Sequence, residues 1–159
     1  MAVYTFIISG LDKSPTNDYE HALVIDIKGA STQPKATLDV FPRKPDCTDN
    51  QLWENVQSSV QTSGGGWYYF LKSKSNGLVI TANGNSLEMA AQKSPDSDDQ
   101  LFVFNPAGKP DGFGVQWYTI VNKQNNNAIS VKGSAKKAGT PVELDSPAGN
   151  PNQLWFQQS

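Results

Sequence analysis

The sequence predicts an all-β domain assembled from three similar four-stranded units. Three observations carry that prediction: a tripeptide that recurs three times, a Gly-ended apolar run that recurs in step with it, and the absence of any long helical periodicity. Gln51-Leu52-Trp53, Gln100-Leu101-Phe102 and Gln153-Leu154-Trp155 lie about fifty residues apart, and Asn50, Asp99 and Asn152 precede them. Self-similarity at such a period marks an architecture whose units cannot bury a face alone and therefore share one core.

Each unit opens on an aromatic and β-branched run: Tyr4 to Ser9, Tyr68 to Ser73 and Trp117 to Asn122. A second run follows in matched register, at Ala22 to Gly29, Gly77 to Gly84 and Asn127 to Gly133. The third lies at Ala36 to Phe41, Ser86 to Ala91 and Pro141 to Asp145, and the fourth starts at the recurring Gln. These runs are short and bounded by Gly, Pro, Asn, Asp and Ser, which is the pattern of strands and turns. In the first unit the expected strands cover residues 3 to 8, 22 to 27, 36 to 41 and 51 to 56. Twelve strands in three pseudo-equivalent units close naturally as a β-trefoil, a barrel capped by hairpins with its sheet edges largely removed. Three units are too few for a propeller. The expected organisation is one domain over residues 1–159, with repeats near 1–58, 59–108 and 109–159.

Composition narrows the function classes. The chain of 159 residues is long enough for one self-sufficient core. Its formal net charge is −2, and its basic residues are scattered apart from Lys136-Lys137, which argues against nucleic acid as a partner. No run approaches the roughly 18–20 apolar residues of a membrane helix, so membrane insertion is not expected. Met1 to Ile8 lacks a basic leader and is read as a strand, giving a cytoplasmic location as the expectation, with non-classical release as a route out. Cys47 is the sole cysteine, so an intramolecular disulfide is excluded. With one His, one Cys and no spaced acidic loop, neither metal nor other cofactor is expected.

Three repeats closing on Gln-x-Trp, or its Phe variant, resemble the ricin B-type lectin family over the whole chain. The resemblance implies a β-trefoil that binds galactose-like or related glycans in shallow pockets, up to one per repeat. It also implies that Trp53, Phe102 and Trp155 are core residues and that the glutamines tie backbone between strands. The family places an Asp on the second strand, an aromatic on the third and an Asn before the Gln. The first unit matches with Asp26, Phe41, Asn50 and Gln51. Asp39, two residues from Phe41, shares its strand face. An ionised Asp26 within an apolar strand is costly unless hydrogen-bonded or solvated, so it either accepts sugar hydroxyls or caps the turn at Gly29. Phe41 either stacks on a pyranose or packs in the core. The second unit departs from the pattern with Thr81, Ala90 and Asp99. The third retains Ser130, Asp145, Asn152 and Gln153 as a second-choice carbohydrate site.

Rival readings stand beside this one. Asp26 and Asp39 resemble a glycosidase pair in type, but His21 stands alone and no nucleophile motif is present, so a non-enzyme is expected. A β-trefoil protease inhibitor acting through exposed loops, Gly10 to His21 or Ser94 to Asp99, is the alternative, and an adhesive trefoil without working sites is another. The expected partners are glycans or glycoconjugates. One shallow site binds a monosaccharide with a Kd of roughly millimolar, so avidity needs further sites or a homodimer. Glycan binding is expected to survive EDTA; loss of binding to a glycan column in chelator, restored by calcium, is the contrary result.

Overall fold

The computed structural model describes residues 2–13, 18–46 and 48–159; Met1, Cys47 and part of the Gly10 to His21 loop lie outside them. The described residues form an all-β molecule of twelve strands in one sheet. The first unit supplies β1 (Phe6–Ser9), β2 (Leu23–Ile27), β3 (Leu38–Pro42) and β4 (Trp53–Gln61). Next come β5 (Trp67–Ser73), β6 (Val79–Asn83), β7 (Ser86–Ala90) and β8 (Phe102–Pro106). The last four are β9 (Tyr118–Asn122), β10 (Ala128–Val131), β11 (Thr140–Asp145) and β12 (Trp155–Gln158).

The pairing separates two layers. Strands β1, β12, β9, β8, β5 and β4 pair in succession, and the Thr5–Trp53 bridge returns the last to the first, which closes a ring. The remaining strands form three antiparallel hairpins, β2–β3, β6–β7 and β10–β11. Hairpins touch one another where β11 pairs with β3 and β7 and where Thr37 bridges Glu88. A closed ring leaves no open edge for another chain to extend.

The main core is built in triplets, one residue from each stretch of sequence. Ile25, Ile80 and Ile129 are buried together, as are Val40, Met89 and Leu144, and Ile7, Leu71 and Ile120. Trp53, Phe102 and Trp155 complete it. The indole N–H groups of Trp53 and Trp155 donate to the carbonyls of Ile25 (3.1 Å) and Ile129 (2.9 Å), so both rings bury their apolar bulk with the polar atom satisfied. Gly29, Gly84 and Gly133 end the second strands at φ of 65°, 62° and 63°, a left-handed turn that glycine makes without a Cβ penalty.

The fourth strands depart from the sequence expectation. The fourth strands start at Trp53, Phe102 and Trp155, because Asp49–Gln51, Asp98–Gln100 and Pro151–Gln153 coil into single 3₁₀ turns. Gln51 N–H donates to the Thr48 carbonyl and Leu52 N–H to that of Asp49, which spends those groups locally rather than in the sheet. β4 also runs on to Gln61, past the expected end, because it forms a long hairpin with β5.

Trp53 is fully buried and Phe113 is 51% exposed. Trp53→Ala is therefore expected to lower unfolding stability by about 3–5 kcal/mol in urea titration, whereas Phe113→Ala changes it by less than about 0.5 kcal/mol. Equal effects would contradict this placement of the core.

Candidate carbohydrate site

Strand alternation sets the site. Ile25 and Ile27 point into the main core, so Asp26 and Val24 face the other side of the β2–β3 hairpin. The register then sets Asp39 opposite Asp26 and Phe41 opposite Val24 on that same face. The 3₁₀ turn at Asp49–Gln51 brings Asn50 and Gln51 up against Asp26.

Asp26 is 3% exposed, yet both its oxygens are engaged. Asn50 Nδ2 donates to Oδ1 at 3.0 Å and Gln51 Nε2 to Oδ2 at 2.8 Å. Lys44 Nζ stands 3.6 Å from Oδ2. The alternative of a turn cap does not occur: Lys28 N–H, at the start of the Gly29 turn, donates to the Thr37 carbonyl instead. Burial pushes the Asp26 carboxyl above its ordinary value, and the bonds from Gln51, Lys44 and Asn50 oppose that shift. Asp39, 5% exposed, has a buried oxygen with no hydrogen-bond partner among the described residues. Burial, with the Asp26 charge beside it, pushes Asp39 up to about 6. Asp39 also borders a polar cavity of about 220 Å³ that it shares with Lys28, Lys132 and Glu143.

Phe41 is 38% exposed, and the Lys44 ammonium lies 5.2 Å from its ring centre. Around the buried Asp26 and Asn50 the molecule thus groups an aromatic face, a carboxylate, an amide and an ammonium. That set meets the needs of a pyranose, an apolar face and several hydroxyls.

Gln51 takes a different place from the other expected contacts. It is fully buried; Nε2 also donates to the Pro42 carbonyl (3.1 Å) and Oε1 accepts from Lys44 N–H (2.9 Å). With its amide hydrogens and carbonyl engaged inside the protein, it holds Asp26 from behind and does not reach a ligand directly. Lys44, by contrast, escaped the sequence reading, which treated the basic residues as scattered. Its signal is a Lys seven residues before the recurring Gln, repeated in the next unit as Lys93 before Gln100.

The other units keep the scaffold and change the chemistry. Gln100 donates to Thr81 Oγ1 and the Ala91 carbonyl and accepts from Lys93 N–H. Gln153 does the same with Ser130 Oγ, the Ser146 carbonyl and Ala148 N–H. Ser130 is buried and its hydroxyl donates to the Ala128 carbonyl, while Asn152 Nδ2 donates to the Val131 carbonyl. Asp145, opposite Ala128 at the place equivalent to Phe41, is exposed and accepts from Ser146 N–H. The structure therefore brings Ser130, Asn152 and Gln153 together and puts the exposed Asp145 where the first unit has its ring. In the second unit Asp99 pairs with Lys93, and Ala90 offers no ring.

The raised Asp39 has a signed consequence. Between its ordinary 3.8 and about 6 the folded chain holds a proton that the unfolded chain releases, so stability falls as pH rises through that window. Asp26 acts in the same direction. Asp39→Asn is expected to flatten this part of the profile and to raise stability at neutral pH in urea titrations. A variant with the parent's pH profile would refute the assignment.

Residues 98–159 match the family described as ricin-type beta-trefoil lectin domain-like. No curated protein matches the chain. Among solved structures, the designed three-fold symmetric protein ThreeFoil is similar at 18% identity and a TM-score of 0.75, over 98% of each chain. The C-half of an earthworm R-type lectin, solved with GalNAc, is similar at 21% identity and a TM-score of 0.66, over 98% of this chain and 97% of that one. An exo-β-1,3-galactanase from Clostridium thermocellum shares the fold at 15% identity and a TM-score of 0.73, over 98% of this chain but 30% of its own. By the match over residues 98–159 and the fold shared over nearly its whole length, the protein is similar to the ricin B-type β-trefoil lectins.

Proposed function

We propose that the protein is a non-enzymatic lectin of three trefoil repeats, in which the first repeat carries the working pocket for galactose-like glycans. The observation that carries this reading is the convergence of Asp26, Asn50 and Lys44 beside the exposed ring of Phe41. The other two units have the same glutamine scaffold without a ring at the equivalent place. The GalNAc held by the earthworm lectin and the galactan substrate named for the galactanase support a galactose-like ligand.

The carboxylates do not suit hydrolysis. Asp26 and Asp39 rise side by side from one face of one hairpin and would meet a sugar from the same side. Glycosidases set one carboxyl at the leaving oxygen and the other across the ring. Nor is the Ser94 to Asp99 segment a free inhibitory loop, since Asp96 accepts from both Ser59 N–H and Ser59 Oγ and Asp99 pairs with Lys93. One shallow pocket implies a Kd of roughly millimolar for a monosaccharide, with a homodimer supplying avidity on cell surfaces.

Asp26→Ala would strand the buried amides of Asn50 and Gln51 and cost about 1–3 kcal/mol of stability, so it does not isolate binding. Phe41→Ala does, because the ring is exposed. Calorimetric titration with lactose is expected to show binding weakened about 3- to 10-fold in Phe41→Ala, with an unchanged unfolding midpoint. Binding as tight as the parent's would place the sugar elsewhere.

A further inference from the structure

A further cavity lies away from the Asp26 pocket. It has a volume of about 480 Å³ and is formed by β4, β5, β8, β9 and β12, strands of the closed ring, with Val115 and Gln116 at its margin. That volume falls within the roughly 300–1,000 Å³ of small-molecule sites. None of the hairpin strands that carry Asp26, Thr81 or Ser130 contributes to it.

Its chemistry is specific. Tyr69, Phe104 and Tyr118 form one aromatic wall, with successive rings edge to face at 6.4 Å and 6.2 Å. Three neutral amides stand with that wall. Asn55 and Gln157 exchange two hydrogen bonds (2.8 and 2.9 Å), and a further bond from Gln157 to Thr5 Oγ1 holds the pair in place. Gln116 donates both amide hydrogens to the carbonyls of Gly108 and Trp117, leaving its own carbonyl oxygen as an acceptor. Among the described residues, no Asp, Glu, Lys, Arg or His lines the cavity.

We propose that this cavity is a second carbohydrate site, for neutral pyranosides, independent of the repeat pockets. The absence of formal charge selects an uncharged ligand. The aromatic wall asks for an apolar face, and the phenols of Tyr69 and Tyr118 with the three amides ask for hydroxyls around it. A flat aromatic ligand would meet only the first demand and leave the polar groups desolvated without partners, which is costly. A sugar ring meets both. A protein with this site and the first pocket would bind two glycan branches without dimerising.

The test uses isotope-labelled full-length Phe41→Ala protein, in which the first pocket is weakened, titrated with lactose, cellobiose and maltose. The expected result is that side-chain amide signals of Asn55, Gln116 and Gln157 shift with at least one sugar, with a Kd of roughly millimolar. Tyr118→Leu, which removes ring and hydroxyl but keeps apolar bulk, should weaken that response about tenfold. Asn55→Lys, at an exposed position, should do so without touching the core. Silence of these amides with all three sugars overturns the inference, as does a response that survives both variants. Because the readout is local, failure of the Phe41 pocket and failure of this site are separately visible.

Discussion

The buried side-chain amide of Gln51, with its counterparts Gln100 and Gln153, is the interaction on which the rest of the structure depends. Each accepts a backbone N–H with its carbonyl and donates to the backbone at the end of the third strand. Its remaining hydrogen goes to the second-strand residue: Asp26, Thr81 or Ser130. A fully buried amide must have its partners, so the connection after the third strand is held against the hairpin in only one way. The aromatic two residues later is thereby delivered to the core, and in two units its indole closes a further bond to the second strand.

The same amide explains how function sits on only part of a repeated scaffold. Replacing Asp26 by Thr or Ser at the equivalent positions still satisfies the glutamine, so the fold tolerates the exchange. What changes is the charge presented beside the third strand. Asp26 stays anchored between two amides and an ammonium, while Asp39 across the hairpin has an oxygen without a donor among the described residues and holds its proton to about pH 6. Two neighbouring carboxyls thus differ because their donors differ. Above that pH Asp39 carries its charge, with Lys28 and Lys44 the cations that bear on it.

The repeat was legible because its signals are local and strong: the recurring Gln-Leu-aromatic, the glycine that ends each second strand, and the alternation that turns Asp26 to the face away from Ile25 and Ile27. Phe41, Asp39 and Asn50 were also within reach of strand alternation and resemblance. Lys44 was missed, because its position beside Asp26 depends on how the Pro42 to Pro45 segment folds back, and its one sequence signal is a spacing from Gln51 that recurs only at Lys93 before Gln100. The burial of Gln51 behind Asp26 likewise follows from its three side-chain bonds, to Asp26, Pro42 and Lys44. The ring-strand cavity is assembled from Asn55, Tyr69, Phe104, Tyr118 and Gln157, residues up to 102 positions apart, and had no sequence signature at all.

The functional account turns on which surface meets the sugar. A crystal structure of the protein soaked with galactose tests it most directly. The account predicts a pyranose with its apolar face on Phe41 and hydroxyls on Asp26, Asn50 and Lys44, without movement of Gln51. A well-occupied sugar bound only at the second or third unit, with Phe41 bare, would contradict it.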